Sequence, residues 1–146
     1  MTMSDLTMYQ ACLLHSRADR TLRAVVSSHL EKLRITRMEW LLLAAVCEGP
    51  AEGIRMTALA VTLDVSLPQV TALFGHLLKD GFVKQREAAN DRRMRYVSAT
   101  KKGRVLIATI ETSMRGALKD WLANIPRPQL ETYMQTVQQL AESRTP

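Results

Sequence analysis

Residues 64–103 constrain the fold of this chain more than any other segment. The run Ser66-Leu67-Pro68-Gln69 has the pattern of a helix capping box, in which the Ser66 hydroxyl accepts from the Gln69 amide and the Gln69 side chain returns to Ser66. Asp80-Gly81 is typical of the end of that helix. Two short β-type runs then flank a polar tip at Ala88-Ala89-Asn90. The segment therefore predicts a helix, a hairpin and a new helix, in that order.

The positive charge of the chain is concentrated in the same part of the sequence. Residues 79–104 contain nine lysines and arginines and three acidic residues, a net charge of +6, whereas the rest of the chain has eleven of each sign. In a chain whose basic residues merely face solvent, the excess of lysine and arginine would be spread more evenly along the sequence. The concentration is typical of a surface that neutralises phosphates, and it predicts nucleic-acid binding.

Length and composition indicate a globular chain with one core. The chain has 146 residues, of which 47% are hydrophobic. No apolar run approaches the roughly 18 residues of a membrane span, and the N-terminus lacks the apolar stretch of a signal peptide. Two cysteines, Cys12 and Cys47, are too few for a disulfide framework. We therefore expect a soluble, cytoplasmic protein with reduced thiols and no membrane partner.

Apolar spacing predicts three helices before the Ser66 capping box. Residues 5–33 have apolar side chains three and four positions apart, as in a long amphipathic helix. Thr36-Arg37-Met38-Glu39 is a second capping box, followed by a short apolar helix over residues 40–47 that Gly49-Pro50 ends. Residues 56–63 form the third predicted helix, and a tight turn joins it to the fourth. Two compact helices joined in this way indicate a helix-turn-helix.

The fourth helix has an apolar face and an outward face. Val70, Leu73, Phe74 and Leu77 fall on one side at the 3.6-residue period, and we expect that side to face the core. A glycine inside a helix costs about 1 kcal/mol relative to alanine, so Gly75 on the outward side indicates a close approach, either to a DNA major groove or to a neighbouring helix. The predicted DNA contacts of this helix are Ser66, Pro68, Gln69, Thr71, Ala72, Gly75 and His76.

The C-terminal third predicts two further amphipathic helices. An apolar stripe runs from Thr100, an expected N-cap, to Ile125, which indicates a helix of about 26 residues and about 39 Å. Pro126 and Pro128 break it, and a last helix follows. Together with residues 5–33, these stripes contain more apolar side chains than the core of one small domain can bury. We therefore expect them to bury one another across the two-fold axis of a homodimer, with a monomeric helical cap as the alternative.

The hairpin resembles that of the MarR (multiple-antibiotic-resistance regulator) family of bacterial transcription factors. The signature Asp-x-Arg-x-x-x-(aliphatic)-x-(apolar)-Thr is present as Asp91, Arg93, Val97, Ala99 and Thr100. The resemblance spans nearly the whole chain. It implies a mainly α fold, an α+β winged helix-turn-helix with about six helices, a small two- to three-stranded β-wing and an intertwined helical dimerisation region. It also implies that Arg93 enters a minor groove while Asp91 pairs within the wing.

The resemblance and the sequence pattern together predict a single MarR-like chain over residues 1–146. Residues 5–33 and 100–146 would form the helical dimerisation region, and residues 36–99 the DNA-binding winged helix-turn-helix. Ala72 and Gln85 stand where many family members have arginine, so the operator sequence does not transfer to this chain. The predicted wing contacts are Asp91, Arg92, Arg93 and Arg95, and the predicted phosphate contacts are Lys79, Lys101 and Lys102.

The partner expected from these features is double-stranded DNA, bound as a palindromic operator by the homodimer. The two recognition helices would enter major-groove segments about one turn, ~10 bp, apart. Gln69 is the leading base reader, because a glutamine amide can pair with adenine through two hydrogen bonds. Family resemblance implies repression. Two alternatives stay open: an architectural factor that binds DNA without sequence choice, and a winged domain that binds a protein.

Family resemblance suggests two kinds of signal. One is a small aromatic or phenolic anion, bound in a pocket between the dimer helices and the wing domain, that releases the DNA. The other is peroxide sensed by Cys12, which lies near the start of the first helix, where the organic-hydroperoxide regulators of the family keep a reactive cysteine. Ser16 and Val26 stand where those regulators have tyrosines, and a buried inert thiol is the commoner case.

The sequence has no pattern typical of an enzyme. His15, His29 and His76 are scattered, without further ligands at metal-binding spacing. There is no nucleophile elbow or phosphate-binding loop. We expect neither catalysis nor a metal or cofactor.

Overall fold

The structure is a computed structural model that describes residues 5–143. Residues 1–4 and 144–146, at the ends of the predicted ranges 1–146 and 100–146, lie outside the described residues, as does the side chain of Arg92. The described part confirms the mainly α winged helix-turn-helix fold, with six α-helices and a three-stranded antiparallel sheet. In chain order the elements are α1 (Met8–Leu30), a 3-10 helix (Glu31–Leu33), α2 (Arg37–Glu48), β1 (Ile54–Arg55), α3 (Met56–Leu63), α4 (Leu67–Lys79), β2 (Val83–Ala88), β3 (Asp91–Ala99), α5 (Lys101–Trp121) and α6 (Arg127–Glu142).

Side-chain caps start four of these helices. Both predicted capping boxes are confirmed, at Thr36 before α2 and at Ser66 before α4, and a third at Thr7 starts α1. The predicted N-cap Thr100 accepts a hydrogen bond from the Gly103 amide at 3.1 Å. Each cap stabilises its helix by about 1 kcal/mol, because it satisfies an amide that has no partner within the helix. Local sequence therefore sets where these helices begin.

The wing is the sheet of order β1-β3-β2. Its hairpin pairs Val83 with Ala99, and the register shifts between Glu87 and Ala88, so that Ala88 pairs with Asp91. The turn is therefore Ala89-Asn90, and the predicted three-residue tip was wrong by one residue because Ala88 belongs to the strand. β1, with only two residues, is too short to give a sequence pattern of its own.

The chain divides into two compact units, and the first extends to Met114. Its core takes buried leucines and valines from α2, α3 and α4, together with residues of the sheet and of α5. The predicted core face of α4 is confirmed, because Val70, Phe74 and Leu77 are buried and Leu73 is partly buried against the core. The helix-turn-helix and the wing thus belong to one packed unit that fixes the outward face of α4.

The second unit begins at Arg115 and contains the end of α5 and all of α6. α5 ends at Trp121 and has 21 residues, so the predicted continuation to Ile125 was wrong. Pro126 accounts for the difference, because a residue before proline is disfavoured in the helical region and the chain turns ahead of it. Along α6, Leu130 and Val137 are partly buried, while the rest of the predicted apolar stripe is exposed.

We find no individual helix between residues 5 and 143 with the length and apolar character needed to cross a bilayer. α3 and α4 taken together pass a test of length and composition, but they are bent by 108° at the turn between them.

Candidate nucleic-acid interface

The predicted contacts of α4 all lie on its exposed side. Ser66, at the N-cap, and the other predicted positions through His76 are exposed, as is Lys79 at the end of the helix. A Cβ atom added at Gly75 would meet no heavy atom within 4 Å. The alternative that Gly75 makes room for a neighbouring helix in this chain is therefore wrong. Close approach to a DNA groove stays a prediction, and the structure leaves the space it needs.

Gln69 contributes to the helix cap as well as to the exposed face. Its Oε1 atom accepts from the Ser66 amide at 3.0 Å and from the Ser66 hydroxyl at 3.1 Å. Pairing with adenine uses both the oxygen and the nitrogen of the amide group. Adenine would have to displace or share the cap contact, so the role of Gln69 as leading base reader stays a prediction.

Glu39 joins α2 to the recognition helix. One carboxylate oxygen accepts from the Thr36 amide at 2.9 Å, and the other lies 2.9 Å from Nδ1 of His76. Burial acts to raise the pKa of Glu39, but the hydrogen bonds from Thr36 and His76 outweigh it, and the pKa is lowered. Sequence patterns identified the cap but missed the second contact, which spans 37 residues.

We expect Glu39→Gln to destabilise the protein in a pH-dependent way. A carboxyl group with a lowered pKa in the folded state adds stability above its ordinary value of 4.5, and this stability is lost as the pH falls through the folded pKa. Urea unfolding should show a loss of about 1 kcal/mol at pH 7 and a smaller loss at about pH 3. An equal loss at both pH values would contradict an anionic role for Glu39.

Asp91 makes a local hydrogen bond directly after the turn of the wing. Its carboxylate accepts from the backbone amide of Arg93 at 2.9 Å, which leaves the exposed Arg93 side chain out of the contact. Arg95 is also exposed, and its guanidinium lies 3.4 Å from the Gln85 amide oxygen. The hairpin thus presents Arg93 and Arg95 at the surface, while Asp91 is hydrogen-bonded to the backbone amide of Arg93.

A tyrosine between two arginines lies at the base of the wing. The Arg86 guanidinium is 4.7 Å and the Arg55 guanidinium 5.8 Å from the centre of the Tyr96 ring. Arg86 also donates to the Glu52 carbonyl at 3.0 Å. Sequence analysis missed Arg55, because the strand that carries it is only two residues long. The structure therefore places Arg55 beside the cationic side chains of the wing.

Lys102 contacts the end of the recognition helix. Its ammonium group donates to the Asp80 carbonyl at 2.7 Å and lies 4.8 Å from the centre of the Phe82 ring. Asp80 caps the C-terminus of α4, and Gly81 follows with φ of +77°, as the Asp80-Gly81 pair predicted. A phosphate contact by Lys102 would compete with this bond and stays a prediction, as it does for the exposed Lys79 and Lys101.

A cavity of about 350 Å³ opens beside the recognition helix, between α3, α4 and the wing. The predicted ligand pocket lay between the dimer helices and the wing domain. This cavity is elsewhere, because no residue of α1 or α5 lines it. Cationic, polar and apolar side chains share its wall, among them Arg55, Thr71, Phe74, Gln85, Arg93 and Arg95.

The two thiols have different surroundings. Cys12 is exposed on α1 of the single chain, and the choice between a redox-active and an inert thiol stays a prediction. Cys47 is half-buried, and burial raises its pKa, which makes it the less reactive thiol. Over the described residues 5–143, no group of three or more histidine, cysteine, aspartate or glutamate side chains is placed to hold a metal ion.

Comparison with known proteins supports the family resemblance. Residues 35–94 match the model of the MarR family, and the resemblance predicted from the wing is thereby confirmed. A MarR-family transcriptional regulator from Rhodococcus sp. RHA1 is 22% identical with a TM-score of 0.85, and the match covers 94% of this chain and 96% of that one. CouR from Rhodococcus jostii RHA1, solved with p-coumaroyl-CoA, is 23% identical with a TM-score of 0.83, covering 100% and 99%.

Another similar structure was solved with DNA. A mutant of MarR from E. coli, complexed with operator DNA, is 19% identical with a TM-score of 0.79, and the match covers 91% of this chain and 94% of that one. At these identities the solved structures establish the fold.

Proposed function

We propose that this chain, which has the winged helix-turn-helix of the MarR family, is a transcriptional repressor that binds a palindromic operator as a homodimer. The observation that carries the proposal is the shared surface of α4 and the wing. An exposed recognition helix with open space at Gly75 lies in the same packed unit as a hairpin with exposed Arg93 and Arg95. Helix and wing can therefore contact adjacent grooves as one body.

The proposed division of labour follows from this surface. Residues 36–99 would bind DNA, with α4 in the major groove and Arg93 in the minor groove, where the negative potential attracts arginine. Lys79 and Lys101, both exposed, would contact phosphates at the edge of the surface. The predicted excess charge of residues 79–104 is thus available to the DNA backbone.

The proposed dimer would use residues 5–33 and 100–146. Large apolar side chains are exposed on α1, where Met8 is 79% and Tyr9 74% exposed, and on α6, where Tyr133 is 51% and Met134 62% exposed. Exposed apolar groups in such number are typical of a protein–protein interface. A second copy of the chain, related by a two-fold axis, would bury the same residues on both subunits.

The proposed ligand is a small aromatic anion in the cavity beside α4. Arg55, Arg93 and Arg95 provide positive charge there, and Phe74 provides an apolar wall. Arg93 also belongs to the proposed DNA surface, so a bound anion would compete with DNA for that side chain. One similar structure, CouR, was solved with an aromatic ligand, p-coumaroyl-CoA.

The experiment that tests the proposal is selection of duplexes from a random DNA pool by the purified protein, followed by anisotropy titrations of the selected duplex and a scrambled one at two salt concentrations. We expect an inverted repeat bound about a thousandfold more tightly than the scrambled duplex. Salt-sensitive binding without an enriched sequence would indicate an architectural factor instead. No DNA binding at either salt concentration would favour a protein partner.

We expect Gly75→Ala to stabilise the protein and to weaken operator binding. Because the added methyl group meets no atom of this chain, the substitution should raise the free energy of unfolding by about 0.5–1 kcal/mol. The same methyl group would hold α4 away from the groove, and we expect a loss of at least about fivefold in operator affinity. Gly116→Ala, at a position on α5 that is equally open in this chain, serves as the control for the gain in stability alone, because residues 100–146 belong to the proposed dimer region. Unchanged affinity would contradict close approach at Gly75.

Peroxide sensing through Cys12 is the second candidate, and the exposure of this thiol favours it. Dimedone labelling of peroxide-treated protein should then modify Cys12, while the half-buried Cys47 stays largely unlabelled. Unmodified Cys12 would end the redox proposal and leave the ligand proposal intact.

A further inference from the structure

His76 is the exposed member of a chain of hydrogen bonds that begins in α2. The Glu39 carboxylate, with its side chain only 12% exposed, binds the Thr36 amide through one oxygen and Nδ1 of His76 through the other. The His76 side chain is 69% exposed on α4. The imidazole is therefore anchored through one nitrogen, while most of the ring faces solvent.

The anchoring contact fixes which ring nitrogen carries a proton. An ionised carboxylate only accepts hydrogen bonds, so Nδ1 of His76 must be the donor to Glu39. Nε2 is then a bare acceptor in the neutral ring and a second donor in the protonated ring. A phosphate oxygen also only accepts, so a contact between Nε2 and DNA phosphate requires the protonated ring.

We propose that Glu39 is a positioning residue of the DNA interface, which holds His76 so that Nε2 donates to a DNA phosphate and DNA binding takes up a proton at this ring. The inference rests on the proposed DNA-binding function and deepens it. His76 lies in the second half of α4, whereas base edges are read mainly from the N-terminal part of a recognition helix. A phosphate therefore fits this position better than a base.

Other charged groups lie on the elements that contact α4. α3 has no charged residue along its length. Within the described residues, Glu39 alone forms an ion pair or hydrogen bond with the His76 ring. The remaining charged residues are Arg37 and Glu48 on α2, Lys84, Arg86 and Glu87 on β2, Lys101, Lys102 and Arg104 at the start of α5, and Lys79 and Asp80 at the end of α4 itself.

The test is the salt dependence of DNA binding at about pH 6 and pH 8, because imidazole side chains change charge across this range. Each phosphate contact steepens the slope of log K against log salt concentration by about 0.9. For the full-length protein, whose proposed dimer has two His76 rings, we expect a slope steeper by about 2 at pH 6 than at pH 8, on the selected duplex and on a random duplex of about 30 bp alike. His76→Gln should abolish this increment. His15 and His29 are retained in this variant, so their protonation cancels in the comparison.

Two variants of the α2 cap separate positioning from stability. Thr36→Ala and Glu39→Ala both remove a partner of the capping box and should lower stability by about 1 kcal/mol each. Thr36→Ala leaves the Glu39–His76 contact in place and should keep the pH-dependent increment of slope, whereas Glu39→Ala should reduce it to less than half.

Three results would overturn the inference. The first is a pH-dependent increment of the salt slope that persists in His76→Gln. The second is an increment that Thr36→Ala and Glu39→Ala reduce equally. The third is an increment that is seen on the selected duplex but not on the random duplex, because this would indicate a base contact. Failure of the proposed function is distinguishable, because the wild-type protein would then bind no DNA or fail to discriminate between the two duplexes at either pH.

Discussion

Arg93→Ala is expected to weaken binding to the selected operator at least tenfold at matched salt. The Arg93 side chain is exposed on the wing, lines the cavity beside α4 and is proposed to enter the minor groove. The hydrogen bond to Asp91 uses the backbone amide of Arg93, which alanine retains. The loss should therefore appear in DNA affinity, measured by anisotropy, while the thermal unfolding midpoint stays within about 1 °C of wild type, as for most surface substitutions.

Arg17→Ala is the matched control for charge. Arg17 is exposed on α1, outside the proposed DNA surface but within the proposed dimer region, so size-exclusion chromatography should first show that the variant has the oligomeric state of wild type; its removal lowers the net charge of the chain by the same amount. We expect this variant to bind the operator within about twofold of wild type, because charges more than a Debye length of ~8–10 Å from DNA are screened. Equal affinities for the Arg93→Ala variant and wild type would remove the wing from the proposed interface.

Gly103→Ala is expected to lower the free energy of unfolding by about 2–3 kcal/mol, as over-packing in a core does. A Cβ atom at this position would lie 2.1 Å from the Phe82 carbonyl oxygen and 3.2 Å from a methyl carbon of Leu43. The Phe82 oxygen already accepts from the Thr100 amide at 3.0 Å, so it belongs to fixed backbone. α5 would have to move away from the connection between α4 and β2.

Gly75→Ala provides the comparison for Gly103→Ala. Both glycines are inside helices, and helix propensity alone predicts that alanine stabilises each by up to about 1 kcal/mol. The structure predicts opposite signs, because Gly75 is open and Gly103 lies against backbone. Urea unfolding of the two variants measures the difference, and a stabilising Gly103→Ala would contradict the packing described at the start of α5.

Sequence patterns predicted the helices of the first compact unit closely. The bounds of α3 and the caps of α2, α4 and α5 agree with the structure, because a cap or a 3.6-residue period depends on residues within one or two turns. The end of α5 was less well predicted, since an apolar stripe continues to Ile125 while Pro126 stops the helix. β1 was missed, because two residues have no detectable period.

For the candidate site, exposure of the side chains could be predicted from the sequence, but their contacts with distant residues could not. The basic hairpin and the exposed face of α4 followed from charge and periodicity, as did the family resemblance from the wing signature. The roles that the structure adds depend on contacts between distant parts of the chain. Among them are the hydrogen bond from Lys102 to Asp80 and the placement of Arg55 against Tyr96.

The sequence by itself determined where the caps lie, which face of α4 is apolar and where the positive charge is concentrated. These are local properties, set by neighbouring residues and by composition. Only the tertiary structure decided that Glu39 holds His76, that a methyl group at Gly103 has no room and that a methyl group at Gly75 has room. Each of these depends on distances between atoms far apart in the chain, which the packing of the helices and the wing brings together.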